Sequence, residues 1–225
     1  MEKIKLLYIQ FENELQANEI ELLRGAVLSK LGDAPVLFHN HVGEKFRYGY
    51  PLIQYKRIRK KAAIVCAGEG VEAVGSLFAA CDFHFRLGNK DVQMAIESVK
   101  AKQALMQVWN AEFTYQLSRW MPLNEENYAA YQGLEGLMER CEFLQKKLTG
   151  NILSMAKGLG VHLEGRIICK IADVIDSYKV NYKGVRIMAF NITFKTNVSL
   201  PEYLGLGKGV SLGNGILFKK TDKKT

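Results

Sequence analysis

Two rhythms of apolar residues alternate along the chain, one of period two and one near 3.6. IKLLYIQF (Ile4–Phe11) is a β-branched and aromatic run suited to a mostly buried strand. In the NEIELLRGAVLSKLGD that follows, Ile20, Leu23, Val27 and Leu31 recur on one helical face, and Gly32 ends the helix. YPLIQYKRIRKKAAIVCAGEG reads as two strands joined by a charged hairpin at Arg59 to Lys61. A second helix follows, with Val71, Val74, Phe78 and Cys81 on one face. VQMAIESVK returns to strand, because Val92, Met94 and Ile96 alternate with polar residues. This order, βαββαβ, is the ferredoxin-like split unit.

The pattern then partly restarts. AEFTYQLSRWMPL reads as a strand, and NEENYAAYQGLEGLMERCEFLQKKLTGNILSMAKGLG as helix broken near Gly150. GRIICKIADVIDSYKV and GVRIMAFNITFKTNV form a hairpin with its turn near Lys183 and Gly184, and YLGLGKGVSLGNGILFKK is a glycine-rich loop entering a last short strand. The second helix of a full repeat is missing. The expected fold class is α+β, with two tandem ferredoxin-like (RNA-recognition-motif-like) domains over residues 1–105 and 106–225, the second modified by a C-terminal glycine-rich loop.

Composition narrows the function classes. The 225 residues are 48% hydrophobic, which excludes a disordered chain and gives a core that needs no staples. Thirty-one Lys and Arg against 23 Asp and Glu leave a net charge of +8, which favours a polyanionic partner. Cys66, Cys81, Cys141 and Cys169 are scattered without C-x-x-C spacing, so they read as reduced thiols and not as a zinc or disulfide framework. The N-terminal apolar run is too short for a signal peptide, and no run of 18 apolar residues occurs. A cytoplasmic protein without a membrane partner is expected.

Three stretches carry candidate chemistry. GLGKGVSLGNG places Gly205, Gly207, Gly209, Gly213 and Gly215 around Lys208 and matches neither G-x-x-x-x-G-K-[ST] nor G-x-G-x-x-G. Its backbone permits close approach to a phosphate, with Lys208 as a point charge; an ordinary surface loop is the alternative. Lys45, Arg47, Lys56, Arg57, Arg59, Lys60 and Lys61 cluster with Phe46, Tyr48, Tyr50 and Tyr55 interleaved, a combination that binds phosphates and stacks unpaired bases, or else a solvated hairpin. His39 and His41 stand two apart, so in extended backbone they point to one side. They read as metal ligands, as an acid–base pair, or as two polar loop residues. A metal needs a third ligand from His84, His162 or a distant carboxylate, and no spacing singles one out; no metal or other cofactor is expected. Two imidazoles titrating near neutrality suit RNA cleavage, one taking the 2′-hydroxyl proton and the other protonating the leaving 5′-oxygen. His84 and His162 read as structural.

Taken in order, LRGAVLSKL leading to FHNHVGEKFRYGYPLIQYK, then FTYQLSRWMPLNEENYAAYQ, LTGNILSMAKGLG and the glycine-rich loop resemble the CRISPR-associated repeat-processing endoribonucleases, the Cas-six family of the RAMP superfamily, in its type I-B-like branch. The resemblance covers almost the whole chain. It implies two ferredoxin-like folds and metal-independent cleavage of precursor CRISPR RNA within its repeats, leaving a 2′,3′-cyclic phosphate and a mature guide RNA. It also places general acid–base histidines just after the first helix, where His39 and His41 stand, with Lys45, Tyr48 and Tyr50 as candidate helpers. The implied partners are CRISPR repeat RNA and other subunits of an effector complex. A non-catalytic RNA-binding subunit of such a complex is the alternative function.

Overall fold

Strand β1 (Ile4–Glu14) runs three residues beyond its predicted end, because Asn13 continues the pairing: its amide donates to Gln93 O at 3.0 Å and its Oδ1 accepts from the Ala95 N–H at 2.9 Å. The computed structural model describes residues 3–31, 41–42, 45–46, 49–80 and 82–220, giving the backbone alone at 41–42, 45–46 and 80. The chain divides into two units. The first holds the residues up to Ala104 together with Ser211–Gly213; the second holds Leu105–Val210 and the residues from Asn214 on.

In the first unit, helix α1 (Ile20–Leu31) buries Ile20, Leu23 and Val27, the stripe its spacing predicted, with Leu31 partly buried. Two-residue strands β2 (His41–Val42) and β3 (Lys45–Phe46) pair with each other, and β4 (Ile53–Ile58) and β5 (Lys61–Ala67) form the predicted hairpin. Its turn residues Arg59 and Lys60 have φ of 50° and 69°, as a primed two-residue turn requires, although neither is a residue that adopts that region cheaply. The second helix is two short pieces, α2 (Glu69–Ala73) and α3 (Gly75–Ala80). Val74 and Leu77 are buried, whereas Phe78 is 38% exposed and Cys81 lies outside the described residues. VQMAIESVK is divided, not one strand. Lys90–Gln93 (β7) pairs with His84–Leu87 (β6) in a hairpin the pattern did not announce, and Ile96–Ala104 (β8) joins the main sheet. That sheet has the antiparallel order β4-β5-β1-β8.

The second unit repeats the plan with longer strands. β9 (Val108–Trp120) lies between β11 (Val185–Val198) and β12 (Ile216–Lys219), and β10 (Cys169–Tyr182) forms the edge, in the antiparallel order β10-β11-β9-β12. The β10–β11 turn falls at Lys183 and Gly184, with φ of 52° and 79°. The helical region breaks elsewhere than at Gly150. Helix α4 (Glu125–Gln132), capped by the Asn124 side chain accepting from the Asn127 N–H, stops at Gly133, and α5 (Leu137–Gly158) passes through Gly150. Leu144, Leu148, Ile152 and Met155 keep one buried stripe across that point, and their burial outweighs the roughly 1 kcal/mol that a helical glycine costs. Between β11 and β12 stands no helix but the glycine-rich segment. Leu200, Leu204, Leu206 and Val210 bury themselves there, and the Leu200 N–H donates to the Tyr115 hydroxyl at 2.8 Å. No helix among the described residues is long and apolar enough to cross a membrane.

Candidate nucleic-acid interface

His39, Arg47 and Tyr48 lie outside the described residues. His41 sits in β2, its backbone opposite Phe46, and Lys45 stands opposite Val42, so residues 41–42 and 45–46 are extended. Tyr50 is half-buried just before β4. His84 and His162 are both exposed; the backbone N–H of His84 donates to Asp82 Oδ1 at 3.0 Å. Among the described residues no three His, Cys, Asp or Glu side chains gather into a metal-holding group.

The cationic hairpin is less uniform than its sequence. β4 turns Ile53 and Tyr55 into the core, and its alternate residues Gln54 and Lys56 share the other face. Both have 0% exposure. Lys56 is therefore no surface cation: burial pulls its ammonium down to about 7. Arg57 is half-buried and its Nε donates to Leu15 O at 2.6 Å, while Lys61 pairs with Glu97 at 2.6 Å. Among the described side chains of this basic cluster, only the turn residues Arg59 and Lys60 are exposed.

Register places other cations on the same sheet. Lys56, Ala63, Gln10 and Ser98 form one cross-strand row, and Gln54, Val65, Tyr8 and Lys100 form the next. Lys102 stands opposite Leu6 and holds its Nζ 5.6 Å from the Tyr8 ring centre. Lys100 and Lys102 are exposed, so Tyr8 and two lysines make a short aromatic and basic strip on β1 and β8. The i, i+2 spacing in VKAKQ was the signal for it.

The glycine-rich segment is packed and not a loose loop. Gly205, Leu206, Gly213, Asn214 and Gly215 are buried, and Lys208 alone in Gly205–Gly215 is exposed. The Lys208 N–H donates to Met121 O at 3.0 Å, and Asn214 Nδ2 donates to Gly209 O at 3.1 Å. Gly207 has φ of 88°, and a Cβ there would stand 2.9 Å from Met121 O; at Gly209 (φ 69°) it would stand 2.8 Å from a Tyr182 ring carbon. These positions exclude side chains because the backbone lies against Met121, just after β9, and Tyr182 of β10, both in its own unit. Gly213 belongs with the first unit, where the Tyr55 N–H donates to Ser211 O at 3.0 Å.

Family models account for nearly all of this chain. The Cas6b N-terminal domain matches residues 2–105 and the Cas6b C-terminal domain residues 107–220. This chain belongs to the Cas6b family. A crystal structure of Cas6b superposes on it with a TM-score of 0.90 at 29% identity, covering 97% of this chain and all of that one. The CRISPR RNA processing endoribonuclease Cas6b does so with a TM-score of 0.76 at 27% identity and the same coverage. A type IV Cas6 crRNA endonuclease, Csf5, shares the fold at 15% identity with a TM-score of 0.61, covering 98% of this chain and all of its own. An uncharacterised protein of Methanocaldococcus jannaschii is 38% identical over 103 residues, 46% of this chain and 69% of its own length. The Cas6b fold here is an α+β protein of two four-stranded antiparallel sheets, and its glycine-rich segment takes the place that α2 and α3 hold in the first unit's chain order.

Proposed function

We propose that this Cas6b protein cuts precursor CRISPR RNA within its repeats without a metal ion, His39 and His41 dividing the acid–base work. The family membership of both halves supports the substrate and carries the reading. One imidazole takes the proton of a 2′-hydroxyl as its oxygen bonds to the adjacent phosphorus, and the other protonates the 5′-oxygen as its bond to phosphorus breaks. The products are a 2′,3′-cyclic phosphate and a 5′-hydroxyl. Lys45, Tyr48 and Tyr50 are the candidate helpers.

Each sheet with its helices is read as one ferredoxin-like unit, over residues 1–105 and 106–225, since the strands of each lie in the order second-third-first-fourth or its mirror in chain succession. RNA is held by the exposed cations Arg59, Lys60 and Lys208, by Arg47 and by Arg57, and by backbone approach at Gly207 and Gly209; Gly205 and Gly213 are left out because both are buried. The Tyr8, Lys100 and Lys102 strip joins them. Lys56 is left out, because an ammonium with no exposed surface cannot reach a phosphate. Partners are repeat RNA and, after cleavage, subunits of an effector complex. Incubating the protein with repeat RNA in excess chelator tests this: cleavage with a cyclic phosphate end is expected. Binding without cleavage at any metal concentration points instead to a non-catalytic subunit, and cleavage that chelator abolishes points to a metal-dependent hydrolase.

A further inference from the structure

A second site lies wholly within the second unit, away from the histidines in sequence. α4, the β10–β11 turn and the glycine-rich segment border a half-open pocket of about 610 Å³. Tyr128 and Tyr182 line it with Lys183, Arg186, Lys208 and Glu125, above apolar side chains such as Leu123 and Met188. Lys183, Arg186 and Lys208 are all exposed. Tyr182 is held in place from two sides: Gly209 packs so near its ring edge that a Cβ would stand 2.8 Å away, and Lys183 Nζ lies 5.9 Å from its ring centre.

We propose that this pocket receives one unpaired nucleotide of the repeat RNA, an inference that rests on the RNA substrate proposed above. Its volume falls in the range of about 300–1,000 Å³ that holds a small ligand, and it is far too small for a base-paired stem. Aromatic and apolar lining suits a base face, and three cations at the rim suit the phosphates on either side of it. Glu125 is the one carboxylate among the described lining residues and repels phosphate, so the base edge with its N–H donors faces that side. The position of Lys208 on a tight glycine backbone brings its charge to the pocket without a flexible loop.

The test uses full-length protein and repeat RNAs carrying one abasic site at each unpaired position in turn, with Kd measured for wild type and for Tyr128→Leu. That variant keeps an apolar side chain on α4 and removes the aromatic face. For wild type, one position is expected to weaken binding about five- to 150-fold, the usual worth of a stacked base. In Tyr128→Leu the same abasic site should cost little more, because the two changes remove one interaction. A 4-thiouridine at that position should photocrosslink to the peptide holding Tyr128 or Tyr182 in the unaltered protein. Penalties that multiply, or crosslinks confined to other peptides, overturn the pocket while leaving the RNA reading intact. Wild type that binds no repeat RNA overturns both.

Discussion

Replacing Lys56 by methionine should remove a pH dependence of stability, so that wild type gains on the variant as the pH rises from 7 to 9. Lys56 is wholly buried, with Ala63 and Gln10 beside it in its sheet row, and its ammonium is pulled from 10.5 to about 7 by loss of water. Between those values the unfolded chain binds the proton and the folded chain does not, so stability rises with pH. Below pH 7 the full penalty, on the order of 5 kcal/mol for a shift of this size, is present. At pH 7 about 4 kcal/mol of it remains and at pH 9 about 2 kcal/mol, so wild type should gain roughly 2 kcal/mol over that interval relative to Lys56→Met. The difference between the two proteins is the quantity to read. The buried Cys66 thiol, pushed up to about 12, adds an opposite slope as the unfolded thiol ionises near 9, and it does so in both. Urea unfolding at pH 7, 8 and 9 measures this. Parallel profiles would refute the burial argument.

Three other perturbations follow from the same structure. Arg59→Ala with Lys60→Ala should flatten the salt dependence of RNA binding, by up to about 0.7 in log–log slope for each single-strand phosphate that is no longer neutralised, in filter-binding titrations from low to moderate salt. Gly207→Val should lower the thermal midpoint as well as RNA affinity, since φ of 88° and Met121 O both oppose a side chain, at a cost on the order of 1–3 kcal/mol; an unchanged midpoint in calorimetry counts against the packed loop. Gly150→Ala should stabilise by about 1 kcal/mol in urea melts, because that helical position has nothing within 4 Å of an added Cβ.

How far the sequence could be read depended on which forces act within one element. The stripe Ile20, Leu23, Val27 and the turn at Lys183 and Gly184 are local patterns, and both stand where periodicity put them. The absence of a helix between β11 and β12 was legible too, in the density of glycine. The helix break was misplaced because Gly150 is tolerated by the stripe packed around it, whereas Gly133 and Gly136 coincide with the end of one helix and the start of another. Lys56 was read with a basic cluster that binds RNA or forms a solvated hairpin, but strand alternation says only that Gln54 and Lys56 share a face, not what covers it. The β6–β7 hairpin escaped notice because four-residue strands carry too few alternations to separate from loop. At the candidate site, the glycines marked where backbone must come close, while their partners, Met121 and Tyr182, lie far off in sequence and left no local trace. The pair Lys100 and Lys102 was visible as spacing but became a strip only through the register with Tyr8.

The central claim is that His39 and His41 carry the chemistry of cleavage, and single-turnover kinetics on repeat RNA tests it most directly. With protein in excess over the RNA Kd and chelator present, His39→Ala and His41→Ala should each slow cleavage at least about a hundredfold while leaving Kd nearly unchanged, since general acid–base assistance is typically worth about 10²–10⁴ per group. A 2′-deoxy sugar at the nucleotide before the cut should abolish cleavage by wild type. Wild-type rates in the double variant, or cleavage of the deoxy substrate, would contradict the mechanism and leave the two histidines as polar residues of a chain that binds or cuts RNA by other means.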